Sequence, residues 1–180
     1  GGDVRPYLQT TYEASPLNRP VAQHGVGEAW VEHPVSYQYI TRDPRSFSWL
    51  YYKIPSGNFL GVCTTDEDGN PAYEFKDGLG RTILAGRMDG SDPYFVYYQY
   101  NNHDDLVNVY PPFVTYPKMH EPEGPFDTQS SYSYRYDFLH RCVYKKLPER
   151  DAIYYIYDHG GEPTIPSRRG AKFERRCDWW

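Results

Sequence analysis

The sequence predicts an all-β protein, an antiparallel meander of successive hairpins with very little helix. Three observations predict it. The 180 residues include 20 Tyr, 8 Phe and 4 Trp, and aromatic side chains favour strands and bury large areas. Tyrosines recur at period two, as in Tyr132, Tyr134 and Tyr136 and in the run Tyr94, Val96, Tyr98 and Tyr100, a spacing that lines up one face of a strand. A short polar corner follows several of these runs. Gly and Pro punctuate the rest, and the longest stretches free of both, 94–110 and 126–147, lack the i, i+3, i+4 pattern of an amphipathic helix.

The corner reads Ser15-Pro16-Leu17-Asn18-Arg19, Asp77-Gly78-Leu79-Gly80-Arg81, Asn101-Asn102-His103-Asp104-Asp105, Asp137-Phe138-Leu139-His140-Arg141 and Asp158-His159-Gly160-Gly161-Glu162. A first-position Ser15, Asp77, Asn101, Asp137 or Asp158 can accept a hydrogen bond from the backbone two residues on. The next two residues suit a type I turn. The fourth position then needs a left-handed backbone, which Asn18, Gly80 and Gly161 tolerate and which Asp104 and His140 fit less well. This is a hairpin loop closed by a type I turn and a bulge. The fifth-position Arg19, Arg81 and Arg141 are expected to pair with a carboxylate or to stack on a tyrosine of the adjacent strand.

Strands are expected near 60–65, 72–76, 82–87, 94–100, 142–146 and 152–157, with further turns at Asp66–Asn70, Met88–Pro93 and Leu147–Asp151. Tyr37-Gln38-Tyr39 and Trp49-Leu50-Tyr51-Tyr52 mark two more. Residues 1–58 form a less regular β segment. Residues 59–180 form the regular meander, with a Pro-rich insertion near 111–125, and the two are expected to make one continuous unit. The corners at 77, 101, 137 and 158 are 24, 36 and 21 residues apart, a repeat with insertions. Tyrosine outnumbers leucine 20 to 9, so the core is expected to be built largely from tyrosine.

Composition excludes several classes. The net charge of −5 and pI near 5.7 argue against a nucleic-acid partner. No apolar run approaches the ~20 residues of a helical membrane span. The basic stretch Arg168, Arg169, Lys172, Arg175 and Arg176 is read as solvated. Cys63, Cys142 and Cys177 match no zinc spacing and are expected to be free thiols or to form at most one bridge. The ends, Gly1-Gly2 and Trp179-Trp180, suggest a piece of a longer protein, the remainder of which would be its first partner.

Three constellations resemble chemistry. Asp66, Asp68 and Asn70 open like a calcium loop, but Gly69 stands fourth rather than sixth and position twelve is Asp77 rather than Glu; a plain turn is the better reading. His140 and Cys142 share a strand face but lack an orienting group and an oxyanion hole. His120-Glu121-Pro122-Glu123 lacks a third and fourth metal ligand at compatible spacing. No nucleophile elbow, phosphate loop or zinc-protease motif occurs. No catalytic residue, cofactor or metal is therefore expected. Tyr98, Tyr134 and Tyr155 are the candidates for stacking on a glycan ring, against the plainer reading that each packs its ring and sends its hydroxyl to a partner.

The segments Tyr73 to Arg81, Tyr134 to Asp137 and Tyr154 to Asp158 resemble the YD repeat of RHS-repeat proteins: Tyr-x-x-Tyr-Asp followed by x-x-Gly-Arg. Tyr12 to Arg19 with Gly25 to Trp30, and Thr64 to Asn70 running into Asp77, are similar to stretches of large RHS-repeat proteins of Bacteroides-type bacteria. The likeness covers roughly 10–30 and 60–165. It implies a bacterial secreted or cell-surface protein whose hairpins wind into a hollow shell around a C-terminal module, with a structural rather than enzymatic role; the alternative is a carbohydrate-binding module. The 101–105 corner lacks both Gly and Arg, Glu162 replaces Arg in the last copy, and no payload is visible. A fragment of such a shell would be an open, curved sheet, and its edges invite pairing with another copy.

Overall fold

A computed structural model describes residues 5–42, 59–90, 92–115, 127–157 and 163–164. The all-β antiparallel meander is what forms. Eleven strands make one open sheet in sequence order: β1 (Gln9–Tyr12), β2 (Pro20–His24), β3 (Val35–Arg42), β4 (Phe59–Thr65), β5 (Pro71–Lys76), β6 (Thr82–Asp89), β7 (Asp92–Tyr100), β8 (Leu106–Tyr110), β9 (Tyr132–Tyr136), β10 (Cys142–Lys146) and β11 (Ile153–Tyr154). Every neighbouring pair is antiparallel. β12 (Ile156–Tyr157) and β13 (Pro163–Thr164) form a separate two-stranded ladder. Helix among the described residues amounts to a 3-10 turn at Glu28–Trp30 and a helical turn over 112–115.

The expected strand over 152–157 is broken. Tyr154 pairs with Tyr144 on β10, and Tyr155 donates its N–H to the Val143 carbonyl at 3.0 Å. Ile156 and Tyr157 then leave the main sheet for β13.

Register explains the core. Direct cross-strand partners run Ile40, Gly61, Phe75, Leu84, Tyr97 and Tyr110 from β3 to β8, so these side chains share one face. A second row on the same face runs Gln38, Cys63, Tyr73, Gly86 and Phe95. The glycines allow close approaches, of a ring at Gly61 and of backbone at Gly86. A Cβ on Gly61 would lie 2.6 and 2.8 Å from Phe75 ring carbons, and one on Gly86 would lie 2.1 Å from the Tyr94 carbonyl oxygen. Tyr73 and Phe95 face each other on either side of Gly86 with ring centroids 6.0 Å apart. The helical turn covers this face. Val114 joins the buried cluster, and the buried Thr115 hydroxyl donates to the Phe95 carbonyl at 2.6 Å.

Among the described residues the core is not largely tyrosine. The buried hydrophobic residues there are Phe59, Cys63, Phe75, Ile83, Leu84, Phe95, Tyr97, Tyr110 and Val114, of which two are tyrosines. A phenol hydroxyl needs a partner when it leaves water, and most tyrosines meet that need by standing half-buried. Where burial is deepest the hydroxyl resists ionisation: desolvation, with Tyr110 close by, pushes Tyr97 up to about 12. Cys63 and Cys142 are free thiols.

Candidate functional site

Strands that run in sequence order and alternate in direction place every second connection at the same end of the sheet. The corners 15–19, 77–81, 101–105 and 137–141 join β1 to β2, β5 to β6, β7 to β8 and β9 to β10. They therefore share one rim, and the turn at Asp66–Asn70 lies at the other.

Each rim corner repeats the same local chemistry. Asp77 Oδ1 accepts N–H bonds from Leu79 at 2.9 Å and Arg81 at 3.0 Å. Asp137 does the same for Leu139 and Arg141, Asn101 for His103 and Asp105, and Ser15 Oγ accepts from Leu17. The fourth position is left-handed in all four: φ is 47° at Asn18, 80° at Gly80, 68° at Asp104 and 60° at His140. A register shift marks the bulge beside each corner.

The arginine makes two contacts at once. Arg81 places Nε 2.7 Å and Nη2 2.6 Å from Asp77 Oδ2, and its guanidinium lies 4.9 Å from the centroid of the Tyr100 ring. Arg141 clamps Asp137 at 2.8 and 2.7 Å and lies over Tyr157 at 4.5 Å. Arg19 forks onto Glu13 at 2.8 and 2.9 Å and lies over Tyr39 at 4.0 Å. These three tyrosines, and Tyr136 with them, tie hairpins together. Tyr39 donates its hydroxyl to the Pro20 carbonyl, Tyr100 to Thr82, Tyr136 to Leu106 and Tyr157 to Cys142, at 2.8–3.0 Å. In every case the acceptor is the residue just after a corner, and the donor belongs to a later strand.

Electrostatics follows from this geometry. Hydrogen bonds from Arg19 and Ser15 hold the Glu13 carboxyl down to about 2. Partial burial works to raise Asp77 and Asp137, but their arginines and turn N–H groups outweigh it and hold both below the usual carboxylate range. The 101–105 corner departs from the others. Its fifth residue is Asp105, met by His140 Nδ1 of the next corner at 2.9 Å. Bonds from Asn101 and His140 lower its pKa. Asp104 is bridged by Arg81 Nη1 at 2.5 Å.

The other candidates are spread out. Asp66 Oδ1 accepts N–H bonds from Asp68 and Asn70, and its two oxygens share the Asn70 amide, a closed turn that uses the oxygens a calcium ion would need. Cys142 Sγ contacts the Tyr144 carbonyl at 3.3 Å while His140 faces Asp105. Among the described residues no group of three or more His, Cys, Asp or Glu is placed to hold a metal ion. Tyr98 and Tyr134 lie half-buried on the sheet face opposite Tyr97; Tyr155 sits at the break between β11 and β12. Asp158, Gly161, His120 to Glu123, Trp49 to Tyr52, Cys177 and the basic stretch lie outside the described residues. Three contacts were not foreseen: Glu13 as the partner of Arg19, the tyrosine hydroxyl ties, and the Asp105–His140 pair. The tyrosine ties had a signal, because Tyr100, Tyr136 and Tyr157 each stand directly before a corner. The pairing of Asp105 with a histidine 35 residues away had none.

Sequential antiparallel strands with arginine-clamped corners at 15–19, 77–81 and 137–141 along one rim define a hairpin-repeat protein of the all-β class. A family model described as a domain of unknown function, DUF6443, matches residues 1–41, which carry β1, β2 and most of β3. Fifteen chains of solved structures match. One, titled "Crystal Structure of TcdB2-TccC3-TEV", is similar with a TM-score of 0.47 and 12% identity over 88% of this chain. This chain spans 9% of the length of that one. No curated protein matches. No helix among the described residues is long and apolar enough to cross a membrane.

Proposed function

We propose that the chain is a non-enzymatic structural segment of a large secreted or cell-surface RHS-type protein, a stretch of hairpin wall continued by further repeats of the parent chain. One observation carries this reading. At three corners the arginine is held by an acid of its own hairpin and covers the ring of a tyrosine from a later strand, and that tyrosine bonds the backbone just after the corner. The recurrent polar residues thereby fasten hairpin to hairpin, which is the work of a wall. The edge strands β1 and β11 would pair with the neighbouring repeats.

An antibody raised against this chain tests the proposal in the source cells. The expected antigen is a polypeptide far larger than 21.1 kDa, found in the medium or removed from intact cells by added protease. A stand-alone product of the chain's own mass confined to the cytosol would overturn it. Glycan-array binding by the isolated chain, lost in Tyr98→Ala and Tyr134→Ala, would instead make it a carbohydrate-binding module.

A further inference from the structure

Two neighbouring corners each depart from the common pattern at one position. In the 101–105 corner Asp105 stands where the 15–19, 77–81 and 137–141 corners carry arginine, and in the 137–141 corner His140 stands at a left-handed position, φ 60°, where Asn18 and Gly80 serve elsewhere. The two exceptions meet across adjacent hairpins at 2.9 Å. The Asp105 side chain is 13% exposed and that of His140 54%. A histidine beside a carboxylate changes its charge within the physiological range; the arginines at the other corners do not.

Among the described residues, the charged groups around this pair come from three corners. The 77–81 corner brings Asp77 and Arg81, the latter bridging to Asp104. The 137–141 corner brings Asp137 and Arg141, paired with each other. His103 packs its ring edge-on against His140 with centroids 5.8 Å apart. Tyr136 is the nearby phenol. The corner thus holds four carboxylates, two guanidiniums and two imidazoles. With the imidazoles neutral it carries two uncompensated negative charges, and protonating both closes the balance.

We propose that Asp105 and His140 form an acid-strengthened latch between the 101–105 and 137–141 hairpins, beside the arginine clamps of the 15–19, 77–81 and 137–141 corners, which keep their charge in the same range. Protonated His140 both donates to Asp105 and neutralises it. The neutral ring retains at most the hydrogen bond. Repulsion between protonated His103 and His140 opposes the latch, and the surrounding carboxylates screen that repulsion.

Amide hydrogen exchange of the intact chain, corrected for intrinsic rates and followed from pH 8 to pH 5.5, tests this. The reporters are the His140 N–H, bonded to the Asp137 carbonyl, and the Asp104 N–H, bonded to the Asn101 carbonyl; the internal reference is the Asn18 N–H, bonded to the Ser15 carbonyl. The reference corner is a sound control, because Glu13 stays ionised down to about 2. Protection at the reporters should rise roughly two- to fivefold relative to the reference on acidification, the span an exposed ion pair produces. The rise should vanish in His140→Asn, which keeps a residue tolerant of the left-handed backbone, and in Asp105→Asn. A ratio flat with pH, or an undiminished rise in either variant, would overturn the latch.

Discussion

Replacing Arg81 with alanine removes the two contacts that define a rim corner. The guanidinium holds the Asp77 carboxylate at 2.6–2.7 Å, reaches Asp104 and covers the Tyr100 ring. Its side chain is 26% exposed and that of Asp77 13%, so solvent screens the pair only in part. A partly exposed ion pair contributes about 0.2–1 kcal/mol, and a guanidinium over an aromatic ring about 0.5–1 kcal/mol. Together they give about 1–2 kcal/mol. In a domain of 150–250 residues each kcal/mol moves Tm by roughly 2–4 °C, so Arg81→Ala should lower Tm by about 2–8 °C in low salt. Arg81→Lys keeps the charge without the planar fork and should recover less than half of the loss. Pairing Arg81→Ala with Tyr100→Leu should give less than the sum of the single effects, because the two side chains touch. Thermal melts and urea unfolding at low and high salt measure all of these. An Arg81→Ala protein that melts with the parent, or a lysine variant equal to the parent, would refute the clamp as the device that holds hairpins together.

Three other outcomes follow from the same geometry. Gly61→Ala drives a methyl group into the Phe75 ring, which is buried and cannot swing aside, so urea unfolding should show a loss of about 1–3 kcal/mol; Phe75→Leu in the same chain should restore part of it. Thr115→Val leaves the buried Phe95 carbonyl without its hydroxyl donor and should cost about 1–3 kcal/mol by the same assay. Glu13 is depressed from 4.5 to about 2 in the folded chain, so its contribution is full above pH 4.5 and is lost as pH falls toward 2; the acid unfolding limb of Glu13→Gln should be flatter than the parent's across that window.

The hairpins were legible because their causes are local. Period-two tyrosines mark a strand without reference to anything distant, and Asp77 and Asp137 organise their turns through bonds to residues two and four places along. Even the uncomfortable fourth positions, Asp104 and His140, were identified by turn chemistry and are left-handed in the fold. The composition of the core was not legible. Tyrosine count measures how much ring is available, whereas burial depends on whether each hydroxyl can find a partner. The tyrosines before the corners satisfy theirs at carbonyls near the rim. Phe75 and Phe95, with no hydroxyl to place, take the deepest positions.

Strand register decided the rest. It sets Gly61 beneath the Phe75 ring and Gly86 against the Tyr94–Phe95 backbone, so that two strand-weakening glycines allow close approaches a Cβ would block. The break at Tyr155 is of the same kind: a run that reads as one continuous strand is divided between two ladders. The amino-acid order alone therefore determined where the chain reverses and that it pairs with itself in sequence, because turns and alternation act over a few residues. Only the tertiary structure decided which hairpin each arginine, tyrosine and histidine fastens, because those partners lie up to 35 residues apart and meet through a sheet register that no local pattern encodes.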